Sequence, residues 1–353
     1  MVKSKRRRYL VLGGILLLVV VAVAVVVPLV LLGKGEVAEV PPIPGLGKED
    51  EERTVTDKVW GATLALHIPL TADQADQPAD LAPLGEEIFV IDTARGRLLG
   101  VNNEGDVTRV IDQTSDPQLV LSLPMALAEH GGQLYVTDSG EGRLLEVSLA
   151  GEVTKVLELT RGSSADALPP RPLGVVVWDD GAFAVSDANN HRLLKYDQDG
   201  RLLWSVGTGA RAQGDTGFNV PSGLALDGQG NVYVVDVLNS QVKKYSPQGQ
   251  FLFAFGKAGD QAGQFSRPKA VAVDAAGNIY VTDGLQLAVQ VFDPAGQFVG
   301  FIGRKDPADP NSEPLFRAPH GLKIVDGRLY VIDRYAGVFI FDLPGVAQTG
   351  GAG

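Results

Sequence analysis

Two hydrophobic patterns divide the chain. From Tyr9 to Leu32 no residue is charged, and 18 of the 24 positions are Leu, Ile or Val. As a helix this run would rise about 36 Å, against about 30 Å for the hydrocarbon core of a bilayer. Beyond residue 60 the pattern changes. Short runs rich in β-branched and aromatic residues alternate with polar positions, and each is bounded by Gly, Pro, Asp or Asn. That period and that punctuation predict short β-strands joined by tight turns.

The strand-like runs repeat. Ile88-Phe-Val-Ile-Asp92 returns as Leu134-Tyr-Val-Thr-Asp138, Phe183-Ala-Val-Ser-Asp187, Val232-Tyr-Val-Val-Asp236, Ile279-Tyr-Val-Thr-Asp283 and Leu329-Tyr-Val-Ile-Asp333. The aspartates are spaced by 46, 49, 49, 47 and 50 residues. A period in the forties made only of β-type segments predicts propeller blades. Each repeat divides into four strands, a to d. In the fifth, Ala270–Val273 is strand a, Asn278–Thr282 strand b, Ala288–Phe292 strand c and Gln297–Ile302 strand d. The turns Asp274-Ala-Ala-Gly277 and Asp293-Pro-Ala-Gly296 join a to b and c to d.

The sixth repeat ends after strand c, Val338–Phe341, while Thr63–Ile68 forms an alternating strand ahead of the first repeat. This N-terminal strand is expected to complete the last blade, which removes an open sheet edge. The fold class is therefore all-β: a six-bladed β-propeller of four-stranded blades, preceded by one transmembrane helix. The organisation expected is a basic cytoplasmic segment at 1–8, a signal-anchor helix at 9–32, a Pro/Gly/acidic stalk at 33–53, the propeller at 54–345 and a Gly-rich tail at 346–353. A cleaved signal peptide is the alternative for 9–32. That run exceeds the usual apolar length of about 7–15 residues and ends at Leu31-Leu32 without small residues for cleavage.

Charge sets the topology and narrows the partners. Lys3, Lys5, Arg6, Arg7 and Arg8 precede the anchor, and only Lys34 closely follows it, so the N-terminus is expected in the cytoplasm and the propeller outside it. The net charge is −11; setting aside the 8 basic and 6 acidic residues among the first 53 leaves 23 against 36, a body near −13. Such a body repels phosphate backbones, so nucleic acid is not an expected partner. The chain has no cysteine, which excludes disulfides, thiolate metal sites and a cysteine nucleophile.

The segments 221–236 (PSGLALDGQGNVYVVD) and 267–284 (RPKAVAVDAAGNIYVTDG), with the linker 214–223 (GDTGFNVPSG), resemble NHL repeats. The resemblance covers about residues 63–345, is strongest in repeats three to five, and implies a six-bladed propeller. Such propellers serve as binding platforms, sensor ectodomains and, in some cases, lyases, so the repeat specifies architecture rather than function.

The d–a linkers are long and dissimilar, whereas the a–b and c–d turns are short and repetitive. The d–a and b–c loops share one face, and that variable face is the expected working surface. The six repeated aspartates, and Arg97, Arg143 and Arg192 beside three of them, are expected to be structural. Phe218, Phe265 and Phe316 are expected to pack between blades. The residue following each strand-a proline is Ala79, Met125, Leu173, Ser222, Lys269 and His320, a ring at the channel mouth. Ser222, Lys269 and His320 form its polar arc, and with Asn190 and His191 in a b–c loop they are the candidate ligand-binding residues. An acidic group of a ligand would be held by Lys269, with Ser222 donating and His320 joining once protonated near pH 6.5.

No catalytic residue, metal site or cofactor is expected. The histidine-rich metal site that the NHL resemblance implies for amidating lyases would need three histidines in the channel, and only His67, His130, His191 and His320 exist. The calcium site of gluconolactonase-like propellers would need acidic and amide groups in the ring, which has none. The function expected is a membrane-tethered, exported binding or scaffold module for a protein, peptide or cell-envelope glycan. The alternative is a propeller enzyme of the lyase or lactone-hydrolase type acting on a small ligand at the channel mouth.

Overall fold

The computed structural model describes residues 61–162, 167–305 and 311–344. The basic segment, the anchor at 9–32, the stalk, residues 54–60 and the tail at 346–353 lie outside them. Among the described residues no helix is long and apolar enough to cross a membrane.

The described chain begins with β1 (Thr63–Ile68). Blade one is β2 (Pro78–Leu84), β3 (Glu87–Asp92), β4 (Arg97–Val101) and β5 (Val107–Ile111); blade two is β6 (Pro124–His130), β7 (Gln133–Asp138), β8 (Arg143–Ser148) and β9 (Val153–Glu158). Blade three is β10 (Pro172–Val177), β11 (Phe183–Asp187), β12 (Arg192–Tyr196) and β13 (Leu202–Gly207). Blade four is β14 (Pro221–Leu226), β15 (Val232–Asp236), β16 (Gln241–Tyr245) and β17 (Phe251–Phe255). Blade five is β18 (Pro268–Val273), β19 (Ile279–Asp283), β20 (Ala288–Phe292) and β21 (Phe298–Ile302). Blade six holds β22 (Pro319–Val325), β23 (Arg328–Asp333) and β24 (Gly337–Asp342). Its fourth strand is β1, antiparallel to β24 with Ile68 opposite Val338 and Thr63 opposite Asp342. The closure expected from Thr63–Ile68 is thus present.

Two details depart from the sequence pattern. Each strand a begins at its proline, two residues earlier than Ala270 in blade five, and its register against strand b shifts just after that proline in all six blades. The strands b of blades three to five are buried along their whole length rather than on alternate residues, as in Val232–Asp236 and Ile279–Asp283. A blade is covered on both faces by its neighbours, so its middle strands have no polar face.

The core accordingly lies between blades, one cluster per junction. Phe218 packs with Leu193 of blade three and Val232 and Tyr245 of blade four, Phe265 joins blades four and five, and Phe316 joins blades five and six. Each ring is fully buried, a transfer from water of about 2–3 kcal/mol apiece. Ile68, Leu70, Val90, Leu99, Val338 and Ile340 form the cluster that shuts the ring between blades six and one.

The repeated aspartates are structural, but they hold more than their own turn. Each reaches back to the linker that precedes its blade. Asp92 Oδ1 accepts from the Asp76 N–H, Asp187 Oδ1 from Arg171 and Asp236 Oδ1 from Asn219, at 2.7–3.0 Å. Asp138 accepts from both Ser122 and Leu123. Arg97, Arg143 and Arg192 pair with Asp92, Asp138 and Asp187 at 2.9, 3.2 and 3.0 Å. Each carboxylate therefore clasps a long linker to the top of its blade.

Close to the axis the strands a leave little room. A Cβ on Gly321 of β22 would press on Asp80 Oδ1 and lie 2.8 Å from Ala79 O and 2.9 Å from the Asp80 Cα. Gly321→Ala is expected to cost about 2–3 kcal/mol through overpacking against backbone. That lowers Tm by roughly 5–10 °C in a domain of this size, readable by thermal unfolding; an unchanged Tm would mean that β2 and β22 can separate at no cost.

Candidate functional site

The b–c and d–a loops emerge together, because the four strands of each blade run antiparallel in sequence order. At the axis on this face the first strand of each blade presents the residue after its proline. Ala79 is buried, while Met125, Leu173, Ser222, Lys269 and His320 are half-buried. The ring is apolar over blades one to three and polar over blades four to six.

His320 is locked in place. Its Nδ1 lies 2.7 Å from Ala79 O, and its Nε2 lies 3.1 Å from Arg334 Nη2. A guanidinium only donates, so Nε2 accepts and Nδ1 carries the proton that goes to Ala79 O. The imidazole is therefore neutral. Burial pushes its pKa well below 6.5, and Arg334, Lys269 and Arg267 push it further. This corrects the expectation that His320 charges near pH 6.5: it aims Arg334 instead of contributing charge.

Lys269 stands beside it. Burial, then Arg267, then Arg334 push its ammonium down to about 8, with Asp283 opposing. The Lys269 Cγ runs over Gly284, 4.0 Å from where a Cβ there would sit. Ser222 precedes Gly223, whose backbone abuts Ala270 and Lys269 O, so Ser222 and Lys269 occupy adjoining strands.

Asn190 and His191 are used differently. The Asn190 amide donates to Asp187 Oδ2 at 2.8 Å and to Leu168 O at 3.1 Å, completing a clasp. His191 Nδ1 accepts from the Val220 N–H at 3.1 Å. Burial, then Arg211, lowers its pKa. Both side chains hold linkers to blade three. His67 is likewise structural: it stacks on Phe339 at 4.2 Å, with Nε2 2.7 Å from Ala336 O.

Three residues near the mouth lie outside the ring positions. Arg267 belongs to the linker before β18, two residues ahead of Lys269, and Arg334 to the b–c loop after β23, which only the ring brings to Lys269. Asp80, one residue past the ring position, is buried and takes the Leu127 N–H at 2.9 Å and Lys323 Nζ at 3.1 Å. It ties blades one, two and six. Burial raises its pKa and Lys323 opposes. Among the described residues no three His, Asp or Glu side chains are gathered as a metal site requires.

A family model for the NHL repeat matches residues 218–245. No curated protein matches the sequence. Solved structures match over most of the chain. A gluconolactonase from Xanthomonas campestris is 19% identical, with TM-score 0.59, over 81% of this chain and 91% of that one. Virginiamycin B lyase from Staphylococcus aureus is 13% identical, with TM-score 0.54, over 80% and 99%. A protein of unknown function from Bacteroides thetaiotaomicron is 14% identical, with TM-score 0.58, over 78% and 71%. At such identities the likeness is one of fold. Among the described residues 24 strands form six four-stranded sheets, and the family model matches within the fourth: the chain is a six-bladed β-propeller that carries an NHL repeat.

Proposed function

We propose that this propeller is a binding module, tethered to the membrane through residues 9–32 and exported, which holds a protein, peptide or cell-envelope ligand on the face formed by its d–a and b–c loops. The distribution of exposed large apolar side chains carries this reading. Among the described residues they lie on the outer strands or on this face, where Val120, Leu168, Leu238, Leu285 and Tyr335 stand 53–62% exposed. None lies on the a–b or c–d turns of the opposite face. Apolar side chains held out on a rigid frame suit a partner surface.

The absence of native cysteine allows a direct test. In intact cells a membrane-impermeant maleimide should label Asp199→Cys, on an exposed c–d turn, readily. It should label Leu285→Cys slowly, and quickly once the protein is purified from its ligand. Equal labelling of both in cells would remove the binding face from Leu285, and labelling of neither until lysis would reverse the topology.

A further inference from the structure

Positive charge at the mouth between blades five and six is not used by the fold. In blades one to four the cation beside the repeated aspartate is paired with it: Arg97, Arg143, Arg192 and, at 3.0 Å from Asp236, Lys243. Asp283 and Asp333 are satisfied by backbone N–H groups instead. Asp283 takes those of Ser266, Arg267, Leu285 and Gln286. Asp333 takes those of Arg317, Ala318, Tyr335 and Ala336. Among the described residues Arg267, Lys269 and Arg334 pair with no carboxylate. Arg334 Nε is buried without any hydrogen-bond partner, and Nη2 of the same guanidinium is steered by the neutral His320. Leu285, next to the glycine under Lys269, is 62% exposed, and Tyr335, next to Arg334, is 56% exposed.

An unpaired, partly desolvated cation costs stability and persists where a ligand completes it. Three of them in a body of net charge near −13 would concentrate one anionic group at one place. We propose that this mouth binds an organic oxyanion, a carboxylate or phosphate carried on an apolar body, with Lys269, Arg267 and Arg334 taking the anion and Leu285 and Tyr335 covering the apolar part. The proposal rests on the binding-module reading and names the ligand class for it. Guanidinium forks suit either oxyanion. The site also predicts a pH response. Lys269 faces Arg267, Arg334, Asp283 and the neutral His320, so an anion restores its charge, and affinity should hold below about pH 8 and fall as pH rises through it.

The test is calorimetric titration of the full chain in neutral-lipid nanodiscs with phenyl phosphate, phenylacetate, inorganic phosphate and benzyl alcohol. One or both phenyl anions should bind, and which is tighter identifies the head group. Inorganic phosphate and benzyl alcohol should bind about tenfold more weakly or worse, since each lacks half of the contacts. Lys269→Ala and Arg334→Ala should each lose about tenfold or more, while Lys269→Arg stays close to the parent. The Tm of Lys269→Ala should not fall, because its cation stabilises nothing in the free protein. Failure of both phenyl anions, or undiminished binding in both alanine variants, overturns the proposal. A lowered Tm for Lys269→Ala would assign the lysine to the fold and remove it from the site. If the phenyl anions fail while Leu285→Cys is still shielded in cells, the binding module stands and the oxyanion class is wrong; loss of that shielding too removes both.

Discussion

Deleting residues 61–70 from the full chain is expected to abolish the folded propeller at 37 °C. β1 is the one strand that the N-terminal end of the described body adds to the sheet of blade six. Its Ile68 is 1% exposed, Leu70 lies in the same closing cluster, and Ala62 reaches the cluster between blades five and six. Losing Ile68 and Leu70 alone removes about 3–6 kcal/mol of burial. The β1–β24 ladder and the His67–Phe339 stack at 4.2 Å go with them. That rivals a typical total stability of about 5–15 kcal/mol. The deletion also bares β24, whose Val338 and Ile340 would lie on an unpaired edge open to aggregation. Thermal unfolding and gel filtration read the outcome. A peptide of residues 61–70 added in trans should raise the Tm of the shortened chain. A deletion variant that melts with the parent would show that the ring is held shut without this strand.

Asp236→Ala is expected to cost about 3–5 kcal/mol, the largest effect of any single clasp residue. The reason is Lys243, whose side chain is 1% exposed and whose Nζ sits 3.0 Å from Asp236 Oδ2. Its other partners are the carbonyls of Gly214 and Gly217. Removing the carboxylate leaves a buried ammonium without its counter-charge, and leaves the Asn219 N–H without its acceptor and the Asn239 amide with Ala212 O alone. Asp92→Ala should cost less, because Arg97 and Arg95 keep 21% and 36% of their side chains in water. Chemical denaturation of the two variants measures the difference. Asp236→Ala with Lys243→Met should recover part of the loss, because the orphaned charge is then gone. Equal losses at Asp92 and Asp236 would mean that burial of the paired cation does not set the scale.

The repeat, the strand order, the number of blades and the closing role of Thr63–Ile68 were legible in the sequence. Each rests on local rules: turn chemistry at Asp274–Gly277, β-branched runs such as Val232–Val235, and one motif present six times at a period near 48. The structural role of the aspartates was legible as well, but not their reach to the preceding linker, because the hydrogen bond from Asn219 to Asp236 spans 17 residues, across the whole hairpin of β14 and β15. Lys243 gave no signal. It stands seven residues after its aspartate rather than five, opposite Val234 and two residues along strand c from Gln241, the ladder partner of Asp236, and only its long side chain reaches back to the carboxylate. At the mouth, Ser222, Lys269 and His320 followed from the register of strand a. Arg267, Arg334 and Asp80 did not, since they come from a linker, a loop and the residue beyond the ring. The charge state of His320 was misjudged because it is set by Ala79 O, 241 residues away in sequence, and by Arg334. Local chemistry determined each blade. The ring decided which blades touch, and with that which cations are paired, which are left open and where a ligand finds them, because those contacts exist only once six separate sheets have closed on one axis.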